Sequence, residues 1–409
     1  MNRAVKILIA GIAINLCMGV LYAWSVFSKA LVSELGWSSV DAGMPYTVSI
    51  VVFAASLLVA GILQDRMGPR RMVILGSTMV GLGLIASSFA TSVVALVLTF
   101  GVMVGAGIGF AYACLTPAAM KWFHSSKKGL VSGLIAGGFG MAPLYLAPTT
   151  TKLIADYGIN NAFLALGCMV LLIALPLAFT IVNPPAGYTP EAPKGLVESA
   201  AKADTGKDFS WREMVKTKQF YMLWVMFAFA SSAGLMLIGN ITTIASVQGG
   251  IANAAFLVAA LAVFNTFGRI GMGMLSDKIG RTQTLLLVFL LQGLNMMLFP
   301  MFTTELGFVL GAALAGIGYG ALLSVFPTIT ADYYGMKNYG SNFGVLYTAW
   351  GVSGFMGPVM ATVVVDQTGS YAIAYTVSAI MLAVAAVLAV LIKPVGAEQT
   401  DKKAELASA

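Results

Sequence analysis

Long apolar runs, one after another with little between them, constrain this chain more than any other feature. A helix needs about 20 apolar residues to cross a hydrocarbon core of roughly 30 Å. Runs of that kind read at 5–32, 40–62, 72–92, 94–121, 127–150 and 161–182, then at 218–246, 251–275, 283–302, 304–332, 338–364 and 370–393. In lipid every backbone polar group must find its partner inside the protein, which turns such runs into helices. The first run is too long for the core of a signal peptide and lacks a convincing cleavage site, so it reads as a retained span. The expected fold is all-α, with twelve transmembrane helices in two groups of six.

Composition excludes the soluble alternative. Only 10% of the 409 residues are charged and 59% are hydrophobic, whereas an ordinary soluble domain is roughly 25% charged. The 45 glycines suit helices that approach closely in lipid through small residues. Basic residues then set the orientation. With both termini in the cytoplasm, all 23 lysines and arginines fall on the inner side except Lys29, Lys152 and Arg269. The net charge of +7 is therefore a topology signal for a multi-pass protein of the inner (plasma) membrane, and nothing in it suggests nucleic acid.

The expected organisation is a first bundle over 1–182, a cytoplasmic linker over 183–217, a second bundle over 218–393 and a polar cytoplasmic tail over 394–409. The linker starts "NPPAGYTPEAPKG", and its prolines cannot continue a helix. Near its end Ser210 and Glu213 have the spacing of a capping box. That spacing predicts a short helix over 210–217 in the membrane interface, with a plain disordered linker as the alternative.

The two halves repeat. "GILQDRMGPRR" at 61–71 returns as "GMLSDKIGRTQ" at 273–283, and "GAGIGFAYACLTP" at 105–117 is answered by "LAGIGYGALLSVFP" at 314–327. Gly133 and Gly140 are matched by Gly344 and Gly351. Two six-helix bundles related by a pseudo-two-fold repeat place a cavity near the bilayer midplane.

Gly61, Leu63, Asp65, Arg66, Gly68, Arg70 and Arg71 form a pattern that resembles the signature loop of the major facilitator superfamily, over a match running from about 5 to 393. The resemblance implies that Asp65, Arg66 and Arg70, with Asp277 in the second copy, pair with a neighbouring helix end and help lock the outward-open state. The alternative is that these charges only stop two spans at the membrane surface. Two details are similar to the branch of oxalate/formate-type antiporters and animal monocarboxylate transporters. One is "KWFHSSKKGLVSGLIAGGFG" leading into the fifth span. The other is an arginine in the eighth span, eight residues before the second motif's aspartate. In those relatives that arginine binds the substrate carboxylate, and the matching residue here is Arg269.

Arg269 lies about 12 Å above the level of Asp277 at 1.5 Å per residue. An arginine at the centre of a span costs about 2.5–3.5 kcal/mol on insertion scales. All 16 acidic residues assign to loops or helix ends, so the sequence places no carboxylate beside Arg269 within the spans. Snorkelling to the inner surface is one answer; a substrate anion held by the planar guanidinium fork is the other. The antiporter carries a second cation, a lysine on the eleventh span. The aligned place here, near Leu346 and Tyr347, is uncharged, which favours a monocarboxylate. Where the animal proteins have a lysine on the first span and an acid four residues before the arginine, this chain has Val26 and Asn265. Asn265 shares a helix face with Arg269, to orient it, to donate to a substrate oxygen, or simply to pack.

Tyr112, Tyr319 and Tyr347 lie well inside the fourth, tenth and eleventh spans, as pocket walls with one polar tip or as helix packing. Tyr22 and Trp24 stand where an outer aromatic belt is expected. His124, Cys17, Cys114 and Cys168 show no metal spacing, and no catalytic pair, cofactor motif or phosphate loop is present. The expectation is therefore a secondary transporter, not an enzyme, acting as a monomer by alternating access. Its substrate would be a small monocarboxylate such as lactate or pyruvate, with a proton as co-substrate. A carboxylate anion exchanger, a drug exporter or a non-transporting carboxylate sensor are the alternatives.

Overall fold

A computed structural model describes residues 2–185, 187–190, 208–251 and 254–395. Most of the linker and most of the expected tail, 191–207 and 396–409, lie outside the described residues. The described residues are helical through most of each apolar run. The first span is made of α1 (Arg3–Met18), a tighter 3-10 stretch at Gly19–Ala23 and α2 (Trp24–Leu35). It is followed by α3 (Ser39–Met67) and α4 (Pro69–Ser87). The fourth span runs through α5 (Val93–Leu96), a π-helical stretch at Val97–Val104 and α6 (Gly105–Met120). The long α7 (Lys128–Ala178) comes next, then the single turn α8 (Trp211–Met214). The last six are α9 (Lys218–Gly249), α10 (Ala255–Ile279), α11 (Arg281–Leu298), α12 (Glu305–Tyr334), α13 (Tyr339–Thr368) and α14 (Ala372–Leu391).

Among the described residues, 11 helices are long and apolar enough to cross a membrane. One of them, Ser125–Ala178, is 54 residues long and breaks at Gly158, whose backbone (φ 79, ψ 166) leaves the helix. It supplies two spans, which makes twelve. The sequence places a loop over 151–160, but those residues continue the helices up to a one-residue reversal at Gly158. "TKLIADY" contains neither proline nor glycine to stop the helix earlier.

The repeated motif forms the same turn twice. Gly68 (φ 82, ψ 160) separates α3 from α4, and Gly280 (φ 100, ψ 158) separates α10 from α11. Each glycine N–H bonds back into the helix before it, to Gln64 at 2.9 Å and to Ser276 at 3.2 Å. A positive φ of this kind strains any residue with a Cβ, so the repeated glycines are a backbone requirement.

The chain divides into two compact units, 1–123 with 134–190, and 124–133 with 191–409. In the first unit Phe27 stacks on Phe163 (4.0 Å between centroids) and Trp24 packs on Phe100 at 4.3 Å. Trp24 is buried and its indole donates to the Ala42 carbonyl at 3.0 Å. It belongs to the core and not to an outer aromatic belt, because α3 starts beside it and supplies an acceptor. In the second unit Phe227 stacks on Phe326 at 4.3 Å. Gln248 donates at 2.7 Å to both the Phe299 and Phe302 carbonyls while accepting from the Tyr375 hydroxyl at 3.1 Å. One amide thus closes the loose ends of α9, α11 and α14.

The capping box is present. The Glu213 amide donates to Ser210 Oγ at 3.4 Å, and the Ser210 amide donates to Glu213 Oε2 at 2.8 Å. The helix it starts is shorter than the reading over 210–217, because Thr217 opens α9 with its own side-chain cap. Just ahead of α8, the Phe209 carbonyl accepts from Asn338 at 3.1 Å and Asn342 at 2.9 Å.

Candidate functional site

The centre of the second unit is built by α10 packing along α12. Close approach requires small residues there: a Cβ on Gly320 would collide with the Asn265 carbonyl, and one on Gly133 with the Arg269 carbonyl. Residues 128–133, the start of α7, therefore lie directly against the α10 backbone at the level of Arg269. Arg269 itself is fully buried. Its Nε donates to Asn265 Oδ1 at 2.9 Å, from one helical turn earlier. Asn265 is thus brought onto the guanidinium, and its carbonyl oxygen, which faces the cation, serves to orient it. Snorkelling does not describe an arginine with no exposed surface.

Among the described residues, the buried charged side chains are Lys128, Arg269 and Asp332. Lys128 and Asp332 pair with each other at 3.1 Å. Leu346 and Tyr347, at the place of the antiporter's second cation, are both buried. Tyr347 stands in a row of rings, 5.7 Å from Phe227, 5.2 Å from Phe343 and 5.1 Å from Trp350 between centroids. Tyr319 is buried and its hydroxyl accepts from the Trp350 indole at 2.7 Å. Trp350, one turn after Tyr347 in "LYTAWG", thus joins two of the expected tyrosines and is a further residue of this cluster. Its spacing from Tyr347, three residues along one helix, was the available signal.

Tyr112 belongs to the first unit. It packs edge-on against Phe53 at 5.8 Å and Phe139 at 5.3 Å, and Phe139 also meets Tyr22 at 5.2 Å. Tyr22 therefore faces an aromatic cluster inside the bundle and not a lipid belt.

Of the motif residues, Asp277 has the most developed surroundings. Its carboxylate accepts the amides of Gly129 and Leu130, each at 2.8 Å, and so caps the start of α7. An anion at a helix N-terminus is stabilised by the exposed N–H groups and the macrodipole. Arg281 donates from Nη1 to Asp277 at 2.6 Å and from Nε to Asp332 at 2.9 Å. Lys128, Asp332, Arg281 and Asp277 thus form one chain of alternating charge ending on a helix. In the sequence Lys128 and Arg281 stand only as orienting loop charges, and this chain is not visible there because its members are up to 204 residues apart. In the first copy Asp65 is half-buried near the end of α3, and Arg66 is exposed in the last turn. Arg70 is exposed in the first turn of α4, with its guanidinium 5.4 Å from the centre of the Phe179 ring. Among the described residues no group of three His, Cys, Asp or Glu side chains is placed to hold a metal.

The family model of the Major Facilitator Superfamily matches residues 8–305 and 236–408. The oxalate:formate antiporter of Oxalobacter formigenes is 28% identical over 96% of this chain and 92% of its own. Monocarboxylate transporter 12-B of Danio rerio is 29% identical over 78% of this chain and 72% of its own. In three dimensions the Escherichia coli fucose:proton symporter FucP superposes with a TM-score of 0.70 over 95% of this chain and 99% of its own, at 13% identity. Twelve apolar spans, a glycine-turned motif that occurs twice and these likenesses agree: the chain belongs to the Major Facilitator Superfamily, as a multi-pass membrane transporter related to the monocarboxylate transporters and the oxalate:formate antiporter.

Proposed function

We propose that the protein is a secondary active transporter of small monocarboxylates of the lactate or pyruvate kind, carried together with a proton by alternating access in the plasma membrane. The observation that carries this reading is Arg269, a permanent cation with no exposed surface whose Nε is held by Asn265. A guanidinium oriented by a neutral amide keeps its full charge, and its planar fork matches a carboxylate. The names of two relatives, an oxalate:formate antiporter and a monocarboxylate transporter, support the substrate class. The uncharged Leu346 and Tyr347 support a single negative charge on the substrate. Tyr319 and Tyr347 are the proposed substrate-binding tyrosines of the second unit, and Tyr112 is the one proposed for the first. Asp65, Arg66, Arg70 and Asp277 are the proposed gate. An arginine does not release its proton in any ordinary pH range, so the proton travels by another group or with the substrate.

Exchange of one carboxylate for another is the second reading, favoured by the antiporter's match over nearly the whole chain. Labelled L-lactate uptake into empty proteoliposomes separates the two. Stimulation by an inward proton gradient supports symport. Uptake that starts only when the vesicles are preloaded with a carboxylate overturns symport in favour of exchange.

A further inference from the structure

In the first unit a cavity of about 400 Å³ opens between the start of α1, the start of α4 and the residues that follow α7. Arg3, Lys6 and Arg70 line it together with Ile7, Phe179, Thr180 and Val182. Three of the seven lining side chains are cations and none is an acid. Arg3, Lys6 and Ile7 share one face of α1, being three and four residues apart. Like charges placed so close repel unless an anion joins them.

The walls are built to hold these cations in place. The Arg3 guanidinium lies 5.5 Å from the centre of the Trp122 ring, and the Arg70 guanidinium 5.4 Å from that of Phe179. Trp122 is fixed in turn, because its indole donates to the Val182 carbonyl at 2.8 Å. Both guanidiniums are therefore braced against aromatic faces and lose little freedom when they bind. The helix ends add to the field. Neither α1 nor α4 has an acid in its first turn, and α4 starts after Gly68 with no side-chain cap. Uncapped N–H groups at a helix start form a ready anion site.

We propose that this cavity binds the phosphate of an anionic phospholipid headgroup. Two spans begin here and one ends here, so the cavity lies at the level of the membrane surface, where lipid phosphates are found. Ile7, Phe179 and Val182 give the cationic rim an apolar floor. That mixture suits an amphiphile better than a free phosphate ion, which would gain nothing from the apolar wall. Basic pockets between transmembrane helices bind anionic headgroups on this principle.

Native mass spectrometry of the purified full chain tests the proposal, after equilibration with phosphatidylglycerol, with phosphatidylcholine or with soluble glycerol 3-phosphate. Wild type is expected to retain phosphatidylglycerol about a hundredfold better than phosphatidylcholine, given roughly 1 kcal/mol for each of the three basic residues near such a headgroup. An Arg3→Gln/Lys6→Gln double variant loses that preference, while an Arg71→Gln/Lys216→Gln control with the same charge loss keeps it. Arg3→Lys retains part of it, which separates charge from collapse of the fold. Equal retention of the two lipids by wild type, or an unchanged preference in the double variant, overturns the site. Capture of glycerol 3-phosphate as strong as that of the lipid overturns the lipid assignment in favour of a soluble phosphate.

Discussion

Arg269 shows how a single residue can be kept where its chemistry is unfavourable. Its burial costs a few kcal/mol, and the Asn265 carbonyl returns part of that through a charge-assisted hydrogen bond at 2.9 Å. Removing that acceptor with Asn265→Ala leaves the charge in place and frees its orientation. The expected result is a rise in substrate KM of about tenfold, in line with the loss of a hydrogen bond to a charged group, read from concentration-dependent uptake. Tyr319 gives a second prediction at the same scale. Tyr319→Phe removes only a hydroxyl, but that hydroxyl accepts the Trp350 indole proton at 2.7 Å. Loss of this bond to a half-buried indole costs about 0.5–1.5 kcal/mol, so the variant melts below wild type in detergent. An unchanged melting temperature would show that the indole finds another acceptor.

Among the elements, the start of α7 carries the most consequence. It meets α10 through Gly133 and takes Asp277 as its cap. Gly133→Ala forces a methyl onto the Arg269 carbonyl, and overpacking of this kind costs about 1–3 kcal/mol. Transport by Gly133→Ala is expected to fall along with thermal stability, and wild-type values for both would contradict the contact. The one-turn helix α8 offers a pH prediction. Hydrogen bonds from Ser210 hold the Glu213 carboxyl below its usual pKa of 4.5. A depressed pKa means the cap stabilises the folded form above the unfolded pKa and fails as pH falls through the lowered one. Hydrogen exchange across 210–217, corrected for intrinsic rate, should therefore speed up only in acid below that range, and Ser210→Ala should show the faster exchange already at neutral pH. The span pattern, the repeated turn and the capping box were legible because each is written in neighbouring residues. The break at Gly158 was hidden, since "TKLIADY" before it looks like a loop between two spans yet holds no proline or glycine to stop a helix. The Lys128–Asp332–Arg281–Asp277 chain was hidden for a different reason: nothing local in 128 or 332 says that folding will bring them within 3.1 Å.

For the molecule as a whole, charge balance restricts the modes of energy coupling, because proton symport and one-for-one exchange of monocarboxylates are both electroneutral while uptake of the anion alone is not. Arg269 carries one positive charge, and a monocarboxylate brings one negative charge. Substrate entering with a proton moves no net charge, so uptake should be indifferent to an imposed membrane potential. Movement of one uncompensated charge would instead change the driving force by about 2.3 kcal/mol per 100 mV. A strong response to potassium and valinomycin would contradict one-to-one symport. The most direct test of the central claim is labelled L-lactate uptake into proteoliposomes under an inward proton gradient, for wild type, Arg269→Lys and Arg269→Ala. Gradient-driven uptake is expected for wild type, weak uptake with a raised KM for Arg269→Lys, which keeps the charge but not the fork, and none for Arg269→Ala. Uptake by Arg269→Ala at the wild-type rate would contradict the claim, and would move the carboxylate to another part of the protein.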